Sequence, residues 1–486
     1  MRRFFVKNLI FIIVINLLVK PAWIFLIDRT VQNRVGYAQY GIYQALFNWC
    51  LIFQIILDFG ITSYNNRIIS QNPTKLKEFF PKMLSARVLL MLFYIVIVYA
   101  TALLLGYRAW ELQLLIYISL IQVFNSLLLF IRSNVSALLK FKLDGILSVI
   151  DRFLMIIVCG TLLLYPATGK HFKIEWFVIS QIACYAMGAI ISFFALRSIA
   201  KVQIRFSIDI KEVLTIIKSS VPYATLIFLM AIYMRADAMM IERLGGQDGK
   251  IQAGIYAAAS RLLEVSNNMF GVMFAGVLLP LFGRMLSQRQ AVQPIVRQAV
   301  NMLIPGSFLL VVACASYRTE IMHKLYPTAQ AYDGWVFAWL MGTFPAYCIM
   351  YVYSTLLTAN GNLKLLNKMA IVGVLVNILL NLYLIPHYQA LGAAVVAFIT
   401  QAILSVASII FTKKIIGLPL NIRWALSHFG YLGICAVIAF AVKFLPVSWM
   451  VQISILGVSG LALLFTFRFV SVASLQLLMN KQNGPT

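Results

Sequence analysis

The sequence has few charged residues for its length, and acidic residues are especially scarce. Charged residues make up 11% of the 486-residue chain, against about a quarter in a typical soluble protein. Asp and Glu together number 15, whereas hydrophobic residues make up 62%. This composition excludes an ordinary soluble globular protein. It predicts an all-α polytopic membrane protein.

Cysteine and histidine are too sparse and too scattered to form a disulfide framework or a metal site. The six cysteines lie singly within apolar runs, where cysteine behaves as a small hydrophobic residue. The four histidines lie at or near predicted loops, and none is at ligand spacing from a cysteine or a carboxylate. We therefore predict no metal and no cofactor.

Sequence motifs of enzymes are also absent. The chain has no Walker sequence, no HExxH and no GxSxG in a suitable setting. A membrane glycosyltransferase, ligase or polymerase would need a sizeable outer loop with catalytic acids or bases, and the predicted outer loops are short. The chain is therefore predicted to be a transporter and not an enzyme, and ATP bound to this chain would not drive it.

The net charge of +25 comes from Lys and Arg in short loops between apolar runs. They form no patch with interleaved aromatic residues, so no nucleic-acid partner is predicted. They are concentrated in the N-terminal tail and in the loops on the same side, which predicts that both termini are cytoplasmic. A basic start followed by about 20 apolar residues, without an A-x-A site, predicts an uncleaved first span.

Apolar runs long enough to cross about 30 Å of hydrocarbon define the membrane spans. We predict fourteen, at residues 8–27, 41–61, 84–105, 112–131, 146–164, 176–196, 221–241, 254–279, 299–317, 335–358, 366–385, 391–411, 424–445 and 449–467.

An internal repeat relates the two halves of the chain. A shift of 213 residues places the first span on the seventh, and "GIYQA" from Gly41 on "GIYAA" from Gly254. Both copies enter from the same side, so the repeat is parallel. It predicts two six-helix lobes, at 1–200 and 213–412, followed at 413–486 by two further helices and a cytoplasmic tail. Two such lobes commonly enclose a central cavity that opens alternately to each side.

Five charged residues stand out within the predicted spans, where a charge costs a few kcal/mol. Arg235 and Asp237 lie in span 7, and Arg261 and Glu264 lie in span 8 at a similar depth. They can pair crosswise as a buried structural network, or the arginines can bind phosphate. Lys20, in span 1, has no acid in its own span; it either extends to the membrane surface or faces a cavity. The other basic residues are assigned to loops and tails.

Two acids against three cations leave one positive charge at this depth, which predicts an anionic ligand. Polar residues of spans 1, 2 and 8 can line the same cavity and bind sugar hydroxyls, or they can join helices by hydrogen bonds. They are Asn16, Asn48, Gln54, Asn267 and Asn268.

Four segments resemble a known family. "VNILLNLYLIPHYQALGAAVVAFITQA" (376–402) has its Asn-rich helix end, Ile-Pro turn and Gly-Ala-Ala helix start. "GYAQYGIYQALFNW" (36–49, together with "LDFGITSYNNRIIS" at 57–70), "AGIYAAASRLLE" (253–264) and "LLTANGNLKLLNK" (356–368) resemble its first hairpin, its span 7–8 junction and an inner loop. In order and spacing, the four are similar to polysaccharide-type flippases of the MOP (MATE/oligosaccharidyl-lipid/polysaccharide) superfamily.

The resemblance implies a V-shaped, two-lobed fold and a substrate. Such proteins move undecaprenyl-pyrophosphate-linked oligosaccharides (O-antigen, capsule or exopolysaccharide units) from the inner to the outer leaflet. Membrane lipid and the polymerase or export machinery would be partners. The cavity cations would be Lys20, Arg235 and Arg261, although Lys20 stands where the family places arginine. Asp237 and Glu264 are candidates for coupling to H⁺ or Na⁺.

Two other functions compete with the flippase. A MATE-like cation-coupled drug or metabolite antiporter would share the fold, but it would need an acidic cavity, and the charge excess here has the opposite sign. A non-transporting membrane scaffold would not need intramembrane charges at matched depth.

Overall fold

The computed structural model describes residues 18–62, 65, 69, 73–107, 109–138, 140–165, 171–202, 210–267, 272–418, 422–467 and 469. Within these ranges the chain is helical, with turns and short connections and no strand. The predicted all-α fold class is confirmed.

Most of the α-helices follow the predicted apolar runs. The α-helices are α1 (Arg29–Ile52), α2 (Leu76–Leu104), α3 (Trp110–Ala137), α4 (Phe141–Leu147), α5 (Ile150–Leu164), α6 (Ile174–Ala200), α7 (Ile210–Leu244), α8 (Gly249–Ser266), α9 (Val272–Ser287), α10 (Gln293–Ser316), α11 (Arg318–Leu325), α12 (Ala331–Gly342), α13 (Phe344–Ala359), α14 (Leu363–Ile416), α15 (Ile422–Val442) and α16 (Trp449–Thr466). Of these, α11 and most of α4 lie in predicted loops.

Two predicted loops are helical and contain a kink. A helical run from Leu18 to Leu57 joins the first two predicted spans, with a π-helical segment at Trp23–Asp28 and a break at Gly36. Gly36 has a φ of 81°, which glycine adopts without steric cost. The 54-residue helix α14 likewise joins spans 11 and 12, with a break at Gln389. The connections predicted as loops, between spans 1 and 2 and between spans 11 and 12, are therefore helical and are each interrupted at one residue with non-helical backbone angles.

The helices have the length and surface of membrane spans. Among the residues that the structure describes, ten helical segments are long and apolar enough to cross a bilayer. Large apolar side chains are exposed along them, including Leu92, Val96, Phe194, Leu379 and Val437. Contiguous apolar surface of this kind is stable only in a membrane. The chain is a multi-pass membrane protein.

The structure divides into two compact units. The first comprises Met1–Ala258 with Asn381–Gln389, and the second comprises Ala259–Leu380 with Ala390–Thr486. The first unit has an aromatic-rich core that includes Tyr40, Phe80, Tyr94 and Phe177. In the second unit, α10, α15 and α16 pack around Tyr431, Cys435 and Leu456. The lobe boundaries inferred from the repeat remain a prediction.

Within the first unit, the two repeat motifs lie directly against each other. A Cβ atom built on Gly41 of α1 would lie 2.0 Å from the carbonyl oxygen of Lys250 and 2.7 Å from the nitrogen of Gly254. A Cβ on Gly254 of α8 would lie 2.1 Å from the Tyr37 carbonyl oxygen. The amide of Gln32 donates a hydrogen bond to the Gly254 carbonyl over 2.9 Å. Glycine at both positions thus allows the backbones of α1 and α8 to meet.

Candidate substrate cavity

A cavity of about 660 Å³ lies within the first unit, between the end of α1, the 3₁₀ segment that follows it, and helices α2, α3 and α7. Its apolar lining consists of Leu, Ile, Met and Ala side chains. The polar lining residues are Gln54, Asp58, Thr62, Arg87, Ser126 and Arg235. Two of these are cations and one is an acid, so the part of the cavity wall that the structure describes carries a positive excess.

The chain turns sharply at the end of α1, and Asp58 holds that turn. The helix tightens into a 3₁₀ segment at Phe53–Leu57, and Phe59 and Gly60 then adopt positive φ angles of 39° and 83°. The Asp58 carboxylate accepts hydrogen bonds from the backbone N–H groups of Gly60 (3.2 Å) and Thr62 (3.1 Å). It also accepts one from the Thr62 hydroxyl. This side-chain capping places the carboxylate at the cavity wall.

Arg87 of α2 is the most deeply buried of the cavity cations. Only 1% of its surface is exposed. Its guanidinium forms an ion pair with Asp58 and donates hydrogen bonds to the Thr62 hydroxyl and to the Ser126 hydroxyl (2.9 Å) and carbonyl (3.1 Å). It also stacks 4.6 Å from the centre of the Phe130 ring. A buried charge is tolerated because it is paired and hydrogen-bonded in this way.

Arg235 of α7 is the second cavity cation. Its side chain is half-buried, and its Nη1 donates a hydrogen bond to the Asn48 side-chain oxygen over 3.4 Å. Asn48 lies buried on α1, one turn before the cavity-lining stretch that includes Gln54. The structure thus brings together three of the residues singled out from the sequence, Arg235, Asn48 and Gln54. Their role in binding remains a prediction.

Asp237 lies on another face of α7, two residues beyond Arg235. Only 3% of it is exposed. Its carboxylate accepts hydrogen bonds from the Tyr256 hydroxyl (2.7 Å) and from the Asn381 amide (2.8 Å). Two neutral donors therefore stabilise this buried carboxylate within the first unit, which is what a structural role requires.

The predicted site residues of span 8 lie in the second unit. Arg261 donates a hydrogen bond to Glu264 over 2.7 Å, and the two form an i,i+3 ion pair on α8. Asn267 is half-buried just beyond that helix. Asn16 and Asn268 lie outside the residues that the structure describes.

Lys20 lies apart from the cavity, among other charged residues of the first unit. Its side chain is exposed, and it interacts electrostatically with Asp151, Arg152 and Arg132. Arg152 in turn pairs with Asp151 (3.5 Å), and Arg132 with Asp144 (3.0 Å). The absence of an acid from span 1 therefore does not leave Lys20 without an acidic neighbour, because Asp151 comes from α5.

Two arginines that the sequence interpretation counted with the loops lie inside helices and within the predicted spans. Arg87 is about three turns into α2, and Arg152 is in the first turn of α5. Both fall within the predicted spans 84–105 and 146–164, close to the ends, where a basic residue is easily counted with the loop. Their position inside the apolar runs was the signal that could have identified them.

The described residues hold no group of three or more His, Cys, Asp or Glu side chains that could bind a metal ion. The described cavity lining offers two arginines, the Asp58 carboxylate and the hydrogen-bonding groups of Gln54, Thr62 and Ser126. Arginine side chains bind carboxylate or phosphate oxygens through paired N–H groups. The site suits a ligand with a negatively charged, oxygen-rich group.

Comparison with solved structures identifies the fold as that of a membrane transporter. A lipid II flippase, MurJ, in an inward closed conformation matches 96% of this chain and 98% of its own, with a TM-score of 0.73 and 17% identity. A point mutant of the Vibrio cholerae MATE transporter VcmN matches 84% and 96%, with a TM-score of 0.59 and 14% identity. A multidrug resistance MATE family transporter of the MOP superfamily, inward-facing, matches 81% and 94%, with a TM-score of 0.57 and 14% identity.

The family follows from the sequence itself. Residues 5–286, more than half of the chain, match the family model described as polysaccharide biosynthesis protein. The chain belongs to this family, and the predicted resemblance to polysaccharide-type proteins is confirmed. The fold is the one that the resemblance predicts, that of solved membrane transporters. A comparison with curated proteins finds no match.

Proposed function

We propose that the protein is a flippase that moves undecaprenyl-pyrophosphate-linked oligosaccharide units from the inner to the outer leaflet of a bacterial cytoplasmic membrane. The observation that carries this proposal is the cavity of the first unit, with Arg87 and Arg235 against the single acid Asp58. A pyrophosphate needs cationic donors inside the membrane, where an unpaired charge is costly. The polysaccharide biosynthesis family supplies the class of substrate.

The polar lining of the cavity offers binding groups for both parts of such a headgroup, the pyrophosphate and the sugars. The arginines supply forked N–H donors for phosphate oxygens, and Gln54, Thr62 and Ser126 supply hydrogen-bonding groups for sugar hydroxyls. The volume of about 660 Å³ is within the usual range of about 300–1,000 Å³ for small-ligand sites. The prenyl tail would remain in the lipid while alternating access carries the headgroup across.

The localisation and partners are part of the same proposal. Both termini would be cytoplasmic, in keeping with the basic loops on that side. The polymerase or export machinery would receive the flipped unit. H⁺, Na⁺ or the membrane potential would drive the cycle.

The second candidate is a MATE-like cation-coupled drug or metabolite antiporter, and the likeness to solved MATE transporters favours it. The charge of the cavity separates the two. A site that concentrates cationic drugs needs excess carboxylate, because unlike charges attract in a region of low dielectric constant. The described cavity has two cations and one acid, which favours the anionic substrate.

Replacement of Arg235 tests the flippase. A strain lacking the gene is complemented with wild type, Arg235→Ala or Arg235→Lys at matched membrane abundance. We expect Arg235→Ala to lower surface polysaccharide about tenfold or more, since a hydrogen bond to a charged group contributes about 1.5–3 kcal/mol. The lipid-linked intermediate should accumulate in parallel, and Arg235→Lys should restore part of the export.

Arg197→Ala is the matched control, because Arg197 is an exposed arginine in the last turn of α6. Equal export by Arg235→Ala and Arg197→Ala would contradict a role for the cavity. Normal surface polysaccharide in the deletion strain, together with new sensitivity to cationic drugs, would favour the antiporter. Lys20→Ala and Lys20→Arg in the same strain test whether the more distant cation contributes.

A further inference from the structure

Asp58 differs from the other acids singled out above because it shares a cavity with two arginines. Its side chain is 30% exposed, whereas the Arg87 side chain with which it pairs is 1% exposed. Asp237 is held by two neutral donors outside the cavity lining, and Glu264 pairs with Arg261 in the second unit. Of the described residues that line the cavity, Asp58 is the one acid that a bound anion would meet.

The hydrogen bonds of Arg87 determine how an anion can reach it. Nη1 donates to Ser126, and Nη2 is directed at Asp58 and Thr62. The buried Nε has no hydrogen-bond partner among the described residues. A guanidinium binds a carboxylate and a phosphate through the same N–H groups. An anionic headgroup in this cavity therefore competes with Asp58 for Nη2.

Competition between two anions is unfavourable unless one of them loses its charge. A phosphate bound at Nη2 would lie within a few ångströms of the Asp58 carboxylate, and like charges at that distance in a membrane interior disfavour ionisation. Of the two anions, the Asp58 carboxylate is the one that can lose its charge by taking up a proton. Its exposed portion gives it access to water, and a protonated Asp58 can still accept hydrogen bonds from Gly60 and Thr62.

We propose that Asp58 is an exchangeable counter-ion of Arg87, released by protonation when an anionic headgroup binds. In this step one proton from the aqueous solution forms an O–H bond with the Asp58 carboxylate, and a phosphate oxygen takes its place at Nη2. Arg87 then becomes a second binding residue beside Arg235. Binding of the headgroup and uptake of a proton are coupled at this one position.

The surroundings of Asp58 determine the sign of the coupling. Arg87 of α2 contacts it directly, Arg235 of α7 lines the same cavity, and the uncharged Ser126 of α3 shares Arg87 with it. Thr62 and Gly60, on its own turn, donate hydrogen bonds. Arg87 and Arg235 are thus the charged groups of the described cavity lining that face the Asp58 carboxylate. An added anion offsets their field, so binding strengthens as the pH falls.

Calorimetry with a defined probe tests this inference, which rests on the proposed function. Farnesyl pyrophosphate is titrated into the purified full-length protein in non-ionic detergent, in buffers of equal pH and different ionisation enthalpy. We expect wild type to take up about one proton more per bound probe than Asp58→Asn does. Asp58→Asn should bind more tightly than wild type at neutral pH, and Arg87→Gln should bind at least tenfold more weakly.

Asp144→Asn is the matched control, because Asp144 also pairs with an arginine, Arg132, but does not line the cavity. It should show the proton uptake of wild type. A second probe, farnesyl sulfate, carries a fixed charge, so that every proton taken up on binding belongs to the protein. That measurement needs wild type alone and remains decisive if Asp58→Asn does not fold.

The outcomes separate the two proposals. Binding of both probes without excess proton uptake, or equal uptake by wild type and Asp58→Asn, would overturn the counter-ion exchange and leave the flippase in place. Failure of wild type to bind farnesyl pyrophosphate at any pH would overturn the proposed function as well. Proton uptake that is lost in Asp58→Asn and retained in Asp144→Asn supports the exchange.

Discussion

The contact between the two repeat motifs gives a sharp test of the packing. In Gly41→Ala, the new methyl group would lie 2.0 Å from the backbone oxygen of Lys250, and ordinary contacts begin near 3.4 Å. Helices α1 and α8 would have to separate by about 1.4 Å, since a backbone oxygen cannot rotate away as a side chain does. Overpacking of this kind typically costs about 1–3 kcal/mol. Gly254→Ala, against the Tyr37 carbonyl, should behave in the same way.

The assay is thermal unfolding in detergent, followed by tryptophan fluorescence. Gly433→Ala is the control, because Gly433 lies within α15 and a Cβ there meets nothing within 4 Å. Alanine is preferred over glycine in a helix by up to about 1 kcal/mol, so the control should be as stable as wild type or more stable. Gly41→Ala should unfold at a lower temperature than both. Equal midpoints for Gly41→Ala and Gly433→Ala would refute the close contact.

Two other carboxylates give independent predictions. Asp237→Ala removes the acceptor of the Tyr256 hydroxyl and the Asn381 amide and should lower the free energy of unfolding by about 1–3 kcal/mol. Asp237→Asn keeps one acceptor oxygen and should lower it less. The thermal unfolding midpoints of the two variants and wild type test this difference. Burial raises the pKa of Glu242, which lies just beyond the predicted span 221–241. The folded state therefore favours protonated Glu242, and its contribution to stability is lost as pH rises from the ordinary glutamate range through the raised pKa. Glu242→Gln should flatten that part of a plot of unfolding midpoint against pH.

The helices and several cavity residues could be predicted because each depends on a local pattern. An apolar run of about 20 residues can satisfy its backbone in a membrane only as a helix, and within the described ranges the predicted spans lie mostly on helices, with short turns such as the one at residues 58–60. A polar residue inside such a run is conspicuous, so Asn48, Gln54 and Arg235 could be singled out. The sequence predicts loops around Gly36 and Gln389 where the helices continue with a break, because a one-residue change of backbone angle leaves little trace in composition.

The pairing of charges could not be predicted in the same way. Arg87 and Asp58 are separated by 29 positions, and they meet because the turn after α1 directs the Asp58 carboxylate toward α2. Lys20 gains Asp151 as a neighbour through the packing of α5, which no spacing in the sequence encodes. Such contacts depend on how helices pack. Positive-inside counting also assigns Arg87 to a loop, because it lies close to the end of its predicted span.

The hydrogen bond between Asp237 and Asn381 affects the order in which parts of the protein can fold during synthesis. The two residues are 144 positions apart, and the ribosome produces the chain from its N-terminus at about 5–20 residues per second. Throughout that interval the Asp237 carboxylate has not yet acquired the Asn381 amide. The first unit, whose helices emerge early, is therefore completed only when a segment from late in the chain is inserted. A chain truncated before residue 381 would keep a buried acid in hydrocarbon with one of its donors missing.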